Sequence, residues 1–227
     1  MNSNKKDNSF EHFGRIIRLS DNYGFVKSEI TSKDYYFRYD SSQSKFCIND
    51  NVVFLLYQTQ SNETASALRI FYTNDSGIKF YPRVNQNHIH LLLEKYLPDI
   101  IRNIKDNEHD ILEIEHEYPY NIGKSSCVKT DENDSIIYAV RKGRTGHTRF
   151  VKNKNAEDCN TVFAVFKRTT IGYLILTVFV GKKAGREPWD KFATYEDIKF
   201  WDNHALIFEH KEIIPGTETK KCPSFSN

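Results

Sequence analysis

Gly14-Arg15-Ile16-Ile17-Arg18-Leu19, a polar turn, and Tyr23-Gly24-Phe25-Val26 form the stretch that decides how this chain begins. Two short apolar runs that close together read as neighbouring β-strands. Asp34 to Tyr39 is nearly all aromatic, and Asn51-Val52-Val53-Phe54-Leu55-Leu56-Tyr57 and Ala67-Leu68-Arg69-Ile70 complete the set. Five short strands separated by turn formers predict a small barrel. Strand alternation puts Tyr23 and Phe25 on one face, and Tyr36 and Arg38 on one face of the next strand. The same aromatics could equally fill the barrel core.

Beyond the barrel, Thr73-Asn74-Asp75-Ser76-Gly77 is a run of turn formers between Tyr72 and Pro82, read as a boundary. A helix is predicted over His88–Ile104, with Ile89, Leu92, Leu93, Tyr96, Ile100 and Ile104 on one face and Pro98 kinking or interrupting it. Strands are predicted at Ile111–His116, Ser135–Arg141, Gly146–Lys152, Thr161–Lys167 and Gly172–Gly181. Thr194 with Asp197 marks a helix start. The expected architecture is an all-β five-stranded barrel over residues 10–75, followed by an α+β domain over 82–215. In that second domain an N-terminal helix packs on a curved, mostly antiparallel sheet.

The chain has 227 residues, enough for two domains, and its 32 Lys+Arg against 30 Asp+Glu leave a formal charge of +2. That balance excludes a supercharged nucleic-acid tail. It is also a cancellation. Asp99–Tyr118 holds seven acids and two bases, whereas Arg141–Lys154 holds six bases, His147 and no acid. The 14% aromatic content argues against disorder. No window approaches the ~18 consecutive apolar residues of a membrane span, and Met1–Asn8 does not read as a signal peptide. Cys47, Cys127, Cys159 and Cys222 suit neither a zinc site nor a disulfide framework, so a reducing cytoplasm, no metal and no cofactor are expected.

Residues 10–72 resemble a cold-shock domain, an OB-fold barrel. The resemblance rests on Gly14, Ile16 and Leu19, on Tyr23-Gly24-Phe25-Val26, on Asp34-Tyr35-Tyr36-Phe37-Arg38, and on Asn49-Asp50-Asn51-Val52-Val53-Phe54. Arg38 stands where the family has its stacking His. The resemblance implies an OB-like barrel that holds single-stranded RNA on exposed rings. Arg18, Tyr23, Phe25, Tyr36 and Arg38 are its candidate contacts, since each base stacked on an aromatic ring contributes about 1–3 kcal/mol and a guanidinium plane can stack as well.

In the second half, Arg141-Lys142-Gly143-Arg144-Thr145-Gly146-His147-Thr148-Arg149-Phe150-Val151-Lys152 is the most informative run. With Phe150 in the core, alternation sends His147, Arg149 and Val151 to the other face, beside a loop holding Lys142 and Arg144. On the strand Tyr173–Val180, Tyr173 and Thr177 put two hydroxyls on one face. Cations, His and hydroxyls suit metal-independent RNA cleavage. A base takes the 2′-OH proton, that oxygen attacks the phosphate, and an acid protonates the leaving 5′-oxygen while cations steady the transition state.

Residues 86–210 resemble toxin nucleases of the barnase–EndoU–colicin–RelE superfold. The residues concerned are Gly143-Arg144-x-Gly146-x-Thr148-Arg149-Phe150-Val151, Leu176-Thr177-x-Phe179-x-Gly181, and Glu187-Pro188-Trp189-Asp190. The last four read as a loop capping the sheet or as a substrate wall. The resemblance implies acid–base work by His88 or His90, with Arg144 or Arg149 and Thr177. The residues by themselves rank His90, then His147, then His88, with Tyr173 as a further hydroxyl and Lys142 and Lys152 as phosphate contacts. His116, His204 and His210 read as structural. Two functions follow as expectations. One is a metal-independent endoribonuclease, toxin- or defence-like, with an antitoxin or immunity protein as a possible partner. The other is a non-catalytic RNA-binding regulator with no membrane association.

Overall fold

The computed structural model describes residues 11–40, 42, 46–59, 62–83, 94–106 and 108–222. The barrel is built from β1 (Glu11–Leu19), β2 (Tyr23–Ser28), β3 (Asp34–Arg38), β4 (Asn51–Gln58) and β5 (Glu63–Ile70). It closes in the order β1-β2-β3-β5-β4, and β4 pairs back with β1. The β3–β5 pairing is parallel, at Tyr36 opposite Thr64, and the other pairings are antiparallel. This is the closed five-stranded barrel expected of an OB-like fold. Ile16, Val26, Tyr35, Phe37, Val52, Phe54 and Ala65 fill its interior.

Gly24 is the residue that lets β2 lie this close. A Cβ there would stand 2.6 Å from the Phe37 ring and 2.7 Å from the Arg18 carbonyl. A bulge in β1 between Ile16 and Arg18 turns Ile17 outward, and a second register shift in β4 lies opposite Ala67, which takes a φ of 51°.

By compactness the chain forms two units, residues 1–113 with 164–178, and residues 114–163 with 179–227. In the first unit, β6 (Tyr72–Thr73) and β7 (Lys79–Pro82) make a hairpin whose turn is the Thr73–Gly77 run. The buried Asn74 amide donates to the carbonyls of Ile101 and Ile104 at 3.1 and 2.6 Å. It thereby caps the end of α1 (Leu97–Ile101), whose first turn contains Pro98. Residues 88–93 of the expected long helix lie outside the described residues.

Strand β7 runs parallel to β15 (Gly172–Val180) in a sheet of order β6-β7-β15-β14-β8, where β8 is Ile111–Glu117 and β14 is Thr161–Thr169. Phe13 and Val53, on the outside of the barrel, pack with Phe71 and Tyr81. One outer side of the barrel is therefore buried, and β4 carries three consecutive buried residues, Val52, Val53 and Phe54. The β2–β3 side keeps its outer face in water.

The second unit contains β9 (Gly123–Ser125) paired with β13 (Glu157–Cys159), and a sheet of order β10-β16-β12-β11. Those four strands are Cys127–Lys129, His204–Ile207, His147–Val151 and Ile136–Val140. Ile137, Ala139, Phe150 and Ile213 form one cluster, and Val128, Val151 and Ala205 another. The sheet is consequently covered at both Phe150 and Val151, although they alternate on β12. Helix α2 (Tyr195–Asp202) starts at the Thr194–Asp197 capping box, as its sequence predicts. An α+β arrangement thus follows the barrel. Among the described residues, no helix is long and apolar enough to cross a membrane.

Candidate nucleic-acid interface

The antiparallel register of β2 and β3 sets Tyr23 opposite Arg38 and Phe25 opposite Tyr36. Gly24, Val26, Tyr35 and Phe37 point inward and are buried, so their alternates must face out. Tyr23 and Tyr36 stack at 5.8 Å between ring centroids with 27° between planes. Phe25 meets both edge-on, at 6.3 and 5.8 Å. The Arg18 guanidinium carbon lies 5.5 Å from the centre of the Phe25 ring, and Arg38 Nε donates to the Tyr36 hydroxyl at 3.0 Å. Three strands thus bring Arg18, Tyr23, Phe25, Tyr36 and Arg38 into one surface. Neither arginine has an ion pair with an acid among the described residues.

Arg18 against a ring and Arg38 on a phenol hydroxyl keep their charge available, because neither a π-face nor a neutral hydroxyl cancels it. Ring pairing also lowers the side-chain entropy that a ligand would otherwise have to remove. Such a surface can take flat π-systems between or upon its rings and phosphate at either flank.

The basic run of the second unit is arranged differently. Arg141 Nη2 donates to Glu187 Oε1 and Thr148 Oγ1 donates to Glu187 Oε2. Trp189 Nε1 reaches that same Oε2 at 3.0 Å. Gly146 makes room for this arrangement, since a Cβ there would fall 2.0 Å from the Trp189 ring. Arg149 Nη1 donates to Thr130 Oγ1, the Trp201 carbonyl and the His204 carbonyl at 2.7, 3.1 and 2.9 Å. It ties β12 to the C-terminal end of α2, where a cation complements the helix dipole. Arg149 shares the His147 side of β12 by alternation, with its guanidinium turned onto those oxygens. The face that strand alternation assigns to it is covered by its own helix. Lys154 Nζ bonds the Lys129 carbonyl at 2.9 Å and pairs with Asp134.

Lys142 and Arg144 stay exposed in the β11–β12 turn, where Gly143 takes a φ of 77°. His147 is half-buried opposite Val140. Lys152 is exposed, with its ammonium 4.8 Å from the centre of the Phe208 ring.

Tyr173 and Thr177 lie in the first unit. Tyr173 is buried against Phe80, with ring centroids 5.3 Å apart, and its hydroxyl donates to Asp106 Oδ1 at 3.0 Å. Asp106 Oδ2 accepts from Arg168 at 3.1 Å. These groups border a cavity of about 470 Å³ that Lys79, Glu29 and Thr169 also line. Leu174 packs toward Tyr81 and Phe13 on the opposite side, so the polar face expected for Tyr173 belongs to a strand packed on both sides. Thr177 is half-buried further along it.

His88 and His90 lie outside the described residues. His116, His204 and His210 each pack on an aromatic ring, those of Tyr118, Phe200 and Phe208. Burial pushes the Cys127 thiol up to about 11, so it is protonated at neutral pH. Among the described residues no group of His, Cys, Asp and Glu gathers as metal ligands do.

The sequence reading missed the joining of Glu187 to Arg141, Thr148 and Trp189. Its only signal was the coincidence of a base-rich run with an acidic Pro-Trp loop, and pairing across 46 residues has no local signature.

No protein-family model matches the chain, and no curated protein and no solved structure matches it.

Proposed function

We propose that the chain binds single-stranded RNA on the outer β2–β3 face of its barrel. The observation that carries this reading is the assembly of exposed Tyr23 with half-buried Phe25 and Tyr36, flanked by Arg18 and Arg38, on strands whose alternate residues fill the barrel. A set of rings held against one another on the outer side of the barrel suits bases released from a duplex. Two cations make the electrostatic contribution modest. The slope of log affinity against log salt for this face is expected near −1.4, taking roughly 0.7 for each phosphate neutralised on a single strand. The resemblance to cold-shock domains favours the same ligand.

The test is fluorescence anisotropy of a labelled single-stranded RNA with Tyr23→Ala and Tyr36→Ala variants. Each lost stack is expected to weaken binding by about 1–3 kcal/mol, without a change in thermal midpoint. Duplex RNA should bind more weakly than the single strand. Wild-type affinity in both variants would overturn the proposal.

Cleavage is a second reading, supported by the placement of Arg144 and His147 on one hairpin. In it, 2′-OH attack on the bound RNA is assisted by His147, and an antitoxin or immunity protein would act by blocking that attack. Incubation of labelled RNA in EDTA tests this. A 2′,3′-cyclic phosphate end that disappears with His147→Ala supports the reading. No product over a broad RNA panel leaves a non-catalytic RNA-binding protein.

A further inference from the structure

Between β15 and the second turn of α2, the second unit exposes Lys182, Arg186, Lys191 and Lys199 against one exposed acid of that stretch, Glu196, while the Lys183 amide donates to Glu115 Oε2 at 3.3 Å. The other acids of that stretch have fixed tasks. Glu187 holds Arg141, Thr148 and Trp189. Asp190 Oδ1 accepts the Phe192 amide at 2.9 Å. Asp197 closes the capping box of α2 and accepts the Arg186 amide at 2.9 Å. Arg186 and Lys191 stand exposed, while most of the acids of the stretch are turned into the loop.

Two large rings stand among these cations. Phe192 is 62% exposed and Tyr195 74%. Phe192 is held there by the loop, whose Ala193 amide donates to the Asp190 carbonyl at 2.8 Å and whose Arg186 Nη1 donates to the Phe192 carbonyl at 3.1 Å. Lys191 Nζ and the Arg186 guanidinium carbon lie 4.8 and 5.7 Å from the Phe192 ring centre. Tyr195 and Lys199 are one helical turn apart on the same side of α2.

A phenyl ring displayed by a hydrogen-bonded loop is not a by-product of core packing. An apolar protein partner covering it would have to strip water from the surrounding cations, which is costly when they go unpaired. A chain with flat bases and phosphates at every step meets both requirements, because the ring takes a base face and the cations take the phosphates.

We propose that the Phe192–Tyr195 segment is a second contact for single-stranded RNA, with a base on Phe192 and flanking phosphates on Arg186 and Lys191. The choice of ligand rests on the RNA-binding reading given above, but none of the residues is shared with the barrel face.

The experiment measures affinity for a long single-stranded RNA in the full chain. Phe192→Ala is compared with wild type, and separately in a background carrying Tyr23→Ala and Tyr36→Ala. Phe192→Ala is expected to weaken binding about fivefold or more in each background. Arg186→Gln with Lys191→Gln should make the log–log salt dependence shallower by about 1.4. Lys191→Gln by itself should give about half that, and serves as the readout if the Arg186 change lowers the thermal midpoint.

Unchanged RNA affinity after Phe192→Ala overturns the proposal, whatever the barrel variants do. A simultaneous loss of self-association in sedimentation would then reassign the ring to a protein contact. A loss on Phe192→Ala with no effect of the barrel pair leaves this site standing and removes the barrel reading. A wild-type protein that binds no single-stranded RNA removes both.

Discussion

The β2–β3 face of the barrel and the β11–β12 hairpin of the second unit are both basic, and they use their charge in opposite ways. On the barrel, Arg18 and Arg38 lean on Phe25 and Tyr36 and have no acid paired with them among the described residues. On the hairpin, Arg141 is bound to Glu187, Arg149 to a hydroxyl and two carbonyls, and Lys154 to Asp134. Six bases without an acid in the sequence therefore leave three, Lys142, Arg144 and Lys152, as the exposed cations of that run. A count of charges along a chain measures what is available before folding. What a ligand meets is the remainder after helix ends and buried carboxylates have taken their share.

The largest expected effect tests this difference directly. Arg149→Ala leaves the Trp201 and His204 carbonyls and the Thr130 hydroxyl without their cation. Hydrogen bonds to a charged group contribute about 1.5–3 kcal/mol, so the substitution is expected to lower unfolding free energy by about 3 kcal/mol in urea titrations. Arg144→Ala, in the exposed turn, should stay within about 0.5 kcal/mol of wild type. Equal stabilities for the two variants would show that the cations of the hairpin are all solvated, and the contrast with the barrel would disappear.

A second pair of substitutions compares glycines. In the barrel, Gly24→Ala forces a methyl against the Phe37 ring and the Arg18 carbonyl. Overpacking of this kind is expected to destabilise by about 2 kcal/mol. It should also weaken the proposed RNA binding, because Tyr23 and Phe25 flank the displaced backbone. In the hairpin, Gly143 has nothing within 4 Å of an added Cβ but a φ of 77°. Gly143→Ala is expected to lose about 1 kcal/mol from the left-handed backbone alone. Thermal or urea unfolding of both variants separates a steric requirement from a conformational one.

The barrel was legible because its information is local. Alternation along Tyr23–Val26 and Asp34–Arg38 predicts which rings point out, and the register of β2 with β3 places them side by side. Thr194 with Asp197 was equally readable, since a capping box spans four consecutive residues. The hairpin was legible as two strands but not as a surface. The acid that neutralises Arg141 lies 46 residues away, and the carbonyls that hold Arg149 lie 52 and 55 residues away. Strand β15 misled for a related reason. Tyr173 reads as a polar residue on a two-sided strand, but Phe80 covers one side and Tyr81 with Phe13 the other, so its hydroxyl is turned to Asp106. Short strands such as β9, β10 and β16 leave no pattern of their own, because three or four residues cannot establish a period.

The smallest effect expected is one of acid sensitivity, and it too should divide the two regions. The backbone amides of Thr194 and then Arg186 donate to the Asp197 carboxylate and hold its pKa below the usual 3.8. A carboxylate whose pKa is depressed on folding contributes stability that is fully present above the unfolded value and is lost as pH falls through the folded one. The capping box of α2 should therefore loosen as pH drops below about 3.8, and stay indifferent to pH above it. Asp197→Asn removes the titrating charge, so its thermal midpoint should start lower and fall less steeply over the acid range than that of wild type. The barrel face offers a control within the same molecule. There the Tyr36 hydroxyl raises the Arg38 pKa, so that guanidinium keeps its charge in acid. Parallel slopes for wild type and Asp197→Asn would mean that the capping carboxylate is not what couples the second unit to pH.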